Sequence, residues 1–172
     1  MHLMNWLRSL CLTLFLFSLT TTLHAEELYS SLGLSGAYVL GGSSSVGVKS
    51  PGGSLEGYYR FGRWWGGGGD VIIHRIINRD TYWTQILVVG DVHLLDTDSR
   101  LDLAVGGGFG DSILAKKQGI GLIFRVTSNY WMTERLGLSL SGNFIHVVGL
   151  DDPSSHPSFS AGGMNAGLKY RF

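Results

Sequence analysis

From Leu28 onward, apolar and polar positions alternate along much of the chain, and clusters of Gly, Ser, Asn and Asp interrupt the alternation at intervals. A period of two marks a strand with unlike faces, because successive side chains point to opposite sides. The interruptions divide the sequence into eight predicted strands: Leu28 to Val39, Gly53 to Phe61, Trp64 to Ile76, Tyr82 to Leu94, Arg100 to Phe109, Gln118 to Thr127, Glu134 to Val147 and Ser160 to Phe172. The repeated unit is the hairpin, which predicts an all-β fold of antiparallel neighbours.

Parity sorts the side chains. One face collects Leu32, Leu34 and Tyr38, then Ile86 and Val88, Leu122 and Phe124, Leu138 and Leu140, and at the end Met164, Leu168, Tyr170 and Phe172. The other holds Glu56, Arg60, Asp70, His74, Asp91, His93, Asp102, Arg125, Arg135, Asn143, Asn165, Lys169 and Arg171 among Gly and Ser. Alternation alone does not say which face is inside, since a soluble ligand-binding barrel has the same period with its apolar face inward.

Three features point the apolar face outward. Aromatics gather near strand ends, with Tyr59, Phe61, Trp64, Trp65, Tyr130, Trp131, Tyr170 and Phe172 at one end and Tyr38, Tyr82, Trp83 and Phe144 toward the other, as in membrane-interface girdles. Connections alternate in length: those at Gly62 to Arg63, Leu95 to Ser99 and Ser128 to Thr133 are short, and those beginning at Leu40, Gly110 and Val148 are longer. The connection at Asn78 to Thr81 breaks that rule. The last predicted strand is itself alternating and has Phe172 last. The expectation is an eight-stranded antiparallel up-and-down transmembrane β-barrel.

The N-terminus carries His2 and Arg8, an apolar stretch from Leu10 to Leu19 and a small residue at Ala25, the pattern of a cleaved signal peptide spanning residues 1–25. The stretch is shorter than the roughly 20 residues a spanning helix needs. Residues 26–172 then form one barrel domain. The single Cys, Cys11, falls in the leader, so the remainder lacks a thiol for disulfides, thiolate catalysis or Cys-based zinc sites. Equal numbers of basic and acidic residues, 13 each, give no electrostatic footprint for nucleic acid. With 26 Gly and only 15% charged residues but no long apolar run after the leader, a membrane protein of this composition has to be a closed barrel.

The segments AGLKYRF, GLIFRVTSNYWMTERLGLSLSG and GYYRFGRWW resemble the small OmpA-type and OmpX-type outer-membrane barrels, and the likeness of pattern extends over residues 26–172. The resemblance implies a bacterial outer-membrane location, contact with outer-membrane lipid and lipopolysaccharide, and insertion by the barrel-assembly machinery. It further implies that Met164, Leu168, Tyr170 and Phe172 form the assembly signal. Unlike the better-known members, this sequence has no peptidoglycan-binding domain after the barrel.

The inward charges predict a network. Arg60, Asp91, His93, Asp102, Arg125, Arg135 and Arg171 fall near the strand ends assigned to the periplasmic side, and with Glu56 and Lys169 they are expected to pair into a plug, because an eight-stranded barrel has room only for its own side chains or one small ligand. Above them Ala104, Gly106, Gly121, Ser139 and Ser141 predict a shallow external cup. A narrow solute pore is the rival for this region.

No catalytic, cofactor or metal site is expected. His74, His93, His146 and His156 form no close metal-binding pair, and Gly66 to Gly69 and Gly106 to Gly108 are not followed by the Lys and Ser or Thr of a phosphate loop. Asp96 and Asp98 lack the other ligands of a calcium loop. His146 has the outward parity near the outer end of strand seven, where lipid A deacylases place a histidine, but Val147 and Val148 follow it instead of a serine two residues on. Ser154, Ser155 and Ser158, with Asp151 or Asp152, are the remaining partners for a lipid-modifying enzyme. The leading expectation is a non-enzymatic barrel with a structural or surface-interaction role, whose external partner no motif names.

Overall fold

A computed structural model describes residues 27–43, 46–77, 80–95, 99–114, 117–149 and 158–172. The leader and residues 96–98, with Asp96 and Asp98, lie outside them, as does the segment that holds Asp151, Asp152, Ser154, Ser155 and His156.

Eight strands follow in order: β1 Glu27–Ser43, β2 Val46–Phe61, β3 Trp65–Ile76, β4 Thr81–His93, β5 Leu101–Leu114, β6 Lys117–Trp131, β7 Leu136–Gly149 and β8 Phe159–Arg171. Each pairs antiparallel with its sequence neighbour, and β8 returns to β1, closing the barrel without an edge. Closure satisfies the main-chain groups that an open sheet would leave bare. The register places Leu34 opposite both Leu55 and Leu168, so parity runs unbroken across the seam.

The turns at 62–64, 94–100 and 132–135 share one end with the strand termini Glu27 and Arg171, here the terminal end. The other four connections define the loop end. At the terminal end, Gly62 supplies a φ of 78°, a left-handed conformation that a side chain would resist.

The predicted strands are present, but their outer limits differ. Leu40–Ser43 and Val46–Gly52 pair with each other and lengthen β1 and β2, and β5 and β6 run to Leu114 and from Lys117. The expected long connections at Leu40 and Gly110 are therefore reduced to 44–45 and 115–116, whereas 150–158 separates β7 from β8. Conversely, β6 extends through Ser128 to Trp131, and the turn shortens to 132–135.

Parity decides burial as the barrel requires. Leu34 is 69% exposed and Leu168 50%, whereas Arg60 and Asp102 inside are 1% and 2% exposed. The outer wall carries exposed large apolar side chains on every strand, and the interior holds Glu56, Arg60, Asp70, Asp91, Asp102, Arg125 and Lys169, while Lys49, Arg75 and Lys117 are exposed near the loop-end limits of their strands. Two aromatics depart from the girdle expectation: Trp83 and Trp131 point inward and are buried.

Candidate functional site in the barrel interior

The lumen charges assemble in two tiers. The tier nearest the terminal end centres on Asp102 of β5. Its Oδ1 accepts from His93 Nδ1 at 2.7 Å and meets Arg60 Nη1 at 3.4 Å, and its Oδ2 accepts from Asn129 Nδ2 at 3.2 Å and from the Tyr29 hydroxyl at 3.4 Å. A carboxylate only accepts, so Nδ1 carries the imidazole proton, and in the neutral ring Nε2 accepts from the Tyr58 hydroxyl at 2.8 Å. Arg60 also donates to the main-chain oxygens of Arg63 at 2.6 Å and Leu95 at 3.1 Å, which ties two turns to the plug.

The second tier centres on Arg125 of β6. Its Nε and Nη2 fork onto Asp91 at 3.0 and 2.5 Å, and its Nη1 meets Glu56 at 2.9 Å and, farther off, Asp70 at 3.9 Å. Lys169 Nζ reaches the other Glu56 oxygen at 2.6 Å. The Tyr58 ring lies between the tiers, 5.1 Å from Lys169 Nζ and 5.9 Å from the Arg125 guanidinium carbon. Planar two-point pairing and full burial make such contacts strong in place and costly to break singly.

Glu56, Arg60, Asp91, His93, Asp102, Arg125 and Lys169 are thus brought together. Arg135 is not: it is exposed in the 132–135 turn, where Thr133 Oγ1 accepts from its amide at 3.3 Å and from that of Leu136 at 2.9 Å. The Thr-centred turn removes Arg135 from the alternating ladder. Arg171 faces inward but joins no carboxylate in this network. Its guanidinium carbon sits 3.8 Å from the Tyr29 ring centre and 3.9 Å from that of Trp131, a two-sided cation–π clamp that links β8 to β1 and β6.

Among the described residues Ala104, Gly106, Gly121, Ser139 and Ser141 do not together line a cup above the tiers. Ala104 lies opposite His93 and Gly106 opposite Asp91, so both belong to the level of the charges. Toward the loop end the lumen is filled by Val39, Ile72, Ile76, Trp83, Leu87, Ile123, Ile145 and Val147. Trp83 donates to Ser112 Oγ at 2.7 Å. Beside the Arg125 tier lies a cavity of about 20 Å³, room for roughly one water-sized body, lined by residues that include Ser54, Asp70, Arg125, Ser139, Ser141, Asn165 and Lys169.

Met164, Leu168, Tyr170 and Phe172 share the outer face of the last strand, and the rings of Tyr170 and Phe172 meet edge to face at 5.3 Å. The Phe172 amide donates to Ser30 O at 3.0 Å. His146 points outward and is half-buried. Its Nδ1 lies 2.8 Å from the hydroxyl of Ser160, its cross-strand partner on β8. Sequence spacing missed this serine because the pairing depends on register across a long connection. Among the described residues no three His, Cys, Asp or Glu side chains converge as a metal site.

No protein-family model matches the sequence, and no curated protein matches it. Solved structures do match. Neisserial surface protein A aligns with a TM-score of 0.69 at 15% identity, covering 83% of this chain and 97% of that one. The outer membrane protein OprG from Pseudomonas aeruginosa aligns at 0.61 and 12%, covering 87% and 97%. Ail, the attachment invasion locus protein of Yersinia pestis, solved with the heparin analogue sucrose octasulfate, aligns at 0.53 and 16%, covering 84% and 97%.

Proposed function

From a chain that has the fold of the small eight-stranded outer-membrane barrels, we propose an integral outer-membrane protein with a non-enzymatic role, either structural in the bacterial envelope or presenting its loop end to external partners. The observation that carries this reading is the outer wall: a closed barrel that exposes large apolar side chains on all eight strands while Glu56, Arg60, Asp70, Asp91, Asp102, Arg125 and Lys169 are buried inside. In water such a wall would be costly, at roughly 25 cal/mol per Å² of apolar surface, whereas hydrocarbon removes that cost. Outer-membrane lipid and lipopolysaccharide are then its surroundings. Insertion would use the barrel-assembly machinery, with Met164, Leu168, Tyr170 and Phe172 as the recognised strand.

The test is to express the full chain with its leader, fractionate the envelope and compare gel migration with and without boiling. Outer-membrane recovery with a heat-dependent shift supports the proposal; recovery in the soluble periplasm contradicts it. Deleting Phe172 is expected to lower the yield of the folded, heat-modifiable form, and undiminished yield would remove the assembly role.

A second reading rests on one hydrogen bond. Ser160 and His146 supply a hydroxyl and a base within reach of each other on the lipid-facing wall, the minimum for acyl transfer from a lipid ester. Among the described residues no carboxylate orients His146. Mass spectrometry of lipid A from cells with and without the protein separates the two readings, since the enzyme predicts altered acylation that Ser160→Ala abolishes.

A further inference from the structure

We propose that Lys49 and Arg75, on the outer wall at the loop end of β2 and β3, form a docking site for a phosphate group of lipid A, the membrane-embedded part of lipopolysaccharide. The inference rests on the outer-membrane reading and adds to it a site and a ligand group.

The outward face of β3 runs through Val71 and Ile73 to Arg75, and that of β2 through Leu55, Gly53 and Pro51 to Lys49. Both cations are exposed, and among the described residues they are the Lys and Arg side chains that have outward parity within a strand. Register brings them together. The Ile77 amide donates to Lys49 O at 3.5 Å, and Ser50 Oγ donates to Arg75 O at 2.7 Å, so Lys49 lies diagonal to Arg75 across the β2–β3 pair. Diagonal neighbours stand roughly 7–8 Å apart, a gap that long side chains span.

The level in the wall is that of a headgroup. Tyr82 lies opposite Arg75 and Tyr38 opposite Pro51, and the two rings are 61% and 45% exposed. Amphipathic rings outside a barrel mark the boundary between hydrocarbon and headgroups. Lys and Arg reach that boundary by laying their stems along the apolar wall.

The charge suits an anion. Asp80 is the described carboxylate in contact: its Oδ1 accepts from Arg75 Nη2 at 3.1 Å, with both side chains exposed. An exposed pair of this kind is weak, and it engages one of the five N–H donors of the guanidinium. Lys49 and Arg75 against Asp80 leave one net positive charge. The outward carboxylate of β5, Asp111, lies opposite Ile86 and Ile120, two strands from Arg75. Cations at a membrane surface attract anionic headgroups, and a guanidinium fork matches phosphate oxygens. A loop end that faces outward places this pair in the lipopolysaccharide leaflet.

Binding of fluorescent bisphosphorylated lipid A to the refolded protein in dodecylmaltoside micelles is expected to saturate at one lipid per barrel. Lys49→Gln and Arg75→Gln should each lower the affinity about fivefold, and the double variant about 25-fold, the scale of one surface cation near an anionic headgroup. Lys117→Gln, at a loop-end cation on β6, should change nothing. If the double variant does not fold, as judged by its heat-dependent gel shift, the single variants and the lipid series carry the test.

Undiminished affinity in the substituted proteins would overturn the site. An equal loss in Lys117→Gln would overturn it in favour of a diffuse field. Equally tight binding of dephosphorylated lipid A would overturn it in favour of acyl-chain contact, and equally tight binding of phosphatidylglycerol in favour of anionic lipid in general. Envelope fractionation keeps the two readings apart: recovery of the protein in the soluble periplasm contradicts the outer-membrane reading, whereas outer-membrane recovery with unchanged lipid A affinity in the double variant contradicts the site alone.

Discussion

Arg125 and Asp91 lie on non-adjacent strands, β6 and β4, and lock together across the barrel by two hydrogen bonds of 3.0 and 2.5 Å with both side chains almost wholly buried. Removing one partner leaves the other charge stranded, which typically costs about 3–5 kcal/mol. Arg125→Met is therefore expected to destabilise the barrel by that amount, measured by urea unfolding in lipid vesicles. The double variant Arg125→Met with Asp91→Leu should recover much of the loss, because Glu56 keeps its bond to Lys169. A double variant no more stable than the single one would deny that the pair acts as a unit.

Glycine supplies the space for this pair. A Cβ on Gly106 would collide with the Asp91 carboxylate and the Gly90 carbonyl, whereas one on Gly142 would meet nothing within 4 Å. Gly106→Ala is expected to cost about 1–3 kcal/mol as an overpacked site. Gly142→Ala should be close to neutral. Equal effects in the same unfolding assay would show that the Asp91 geometry is not constrained by its neighbour strand.

Much of this fold is legible in the sequence, and the reasons it is not fully so are physical. Strand number and the sorting of side chains into two faces follow from alternation in segments such as Leu136 to Leu140, where one face is apolar and the other small or polar; which face is outward follows from the aromatic positions and connection lengths instead. The run Ile86 to Val89 is apolar on both parities, so alternation could not show that Leu87 and Val89 join an inward apolar core. Leu40 to Gly52 reads as a loop because Gly and Ser have weak strand preference, yet the main chain there forms a ladder. Register is not a local property. Parity names Asp91 and Arg125 as inward, but only the strand pairing makes them partners, and only it brings Ser160 to His146. Arg135 was misplaced by the same limit, since a turn fixed by the Thr133 hydroxyl preserves apparent alternation.

The outer wall gives a depth-dependent prediction. Leu140 lies near the middle of β7 and is 49% exposed, while Leu136 begins that strand. Leu140→Arg is expected to lower stability in lipid vesicles by about 2–4 kcal/mol, and Leu136→Arg by about 0–1 kcal/mol, as depth in hydrocarbon dictates. No difference between the two would contradict a membrane-spanning β7.

Both halves of the lumen are filled, by the charged tiers and by the apolar cluster around Ile72 and Trp83. Planar-bilayer recordings of the purified protein are expected to show no stable large conductance. Sustained channels would mean that the plug opens, and would favour the narrow-pore alternative.

The most direct test of the central claim compares two tryptophans. Trp65 is 57% exposed on the outer wall, and Trp83 is fully buried inside. Each is kept in turn as the only tryptophan, the others being replaced by Phe, and the barrel is refolded into vesicles of phospholipid with brominated acyl chains. Strong bromine quenching of Trp65 fluorescence and little of Trp83 is expected. Trp65 insensitive to brominated lipid but readily quenched by aqueous acrylamide would contradict a lipid-facing wall.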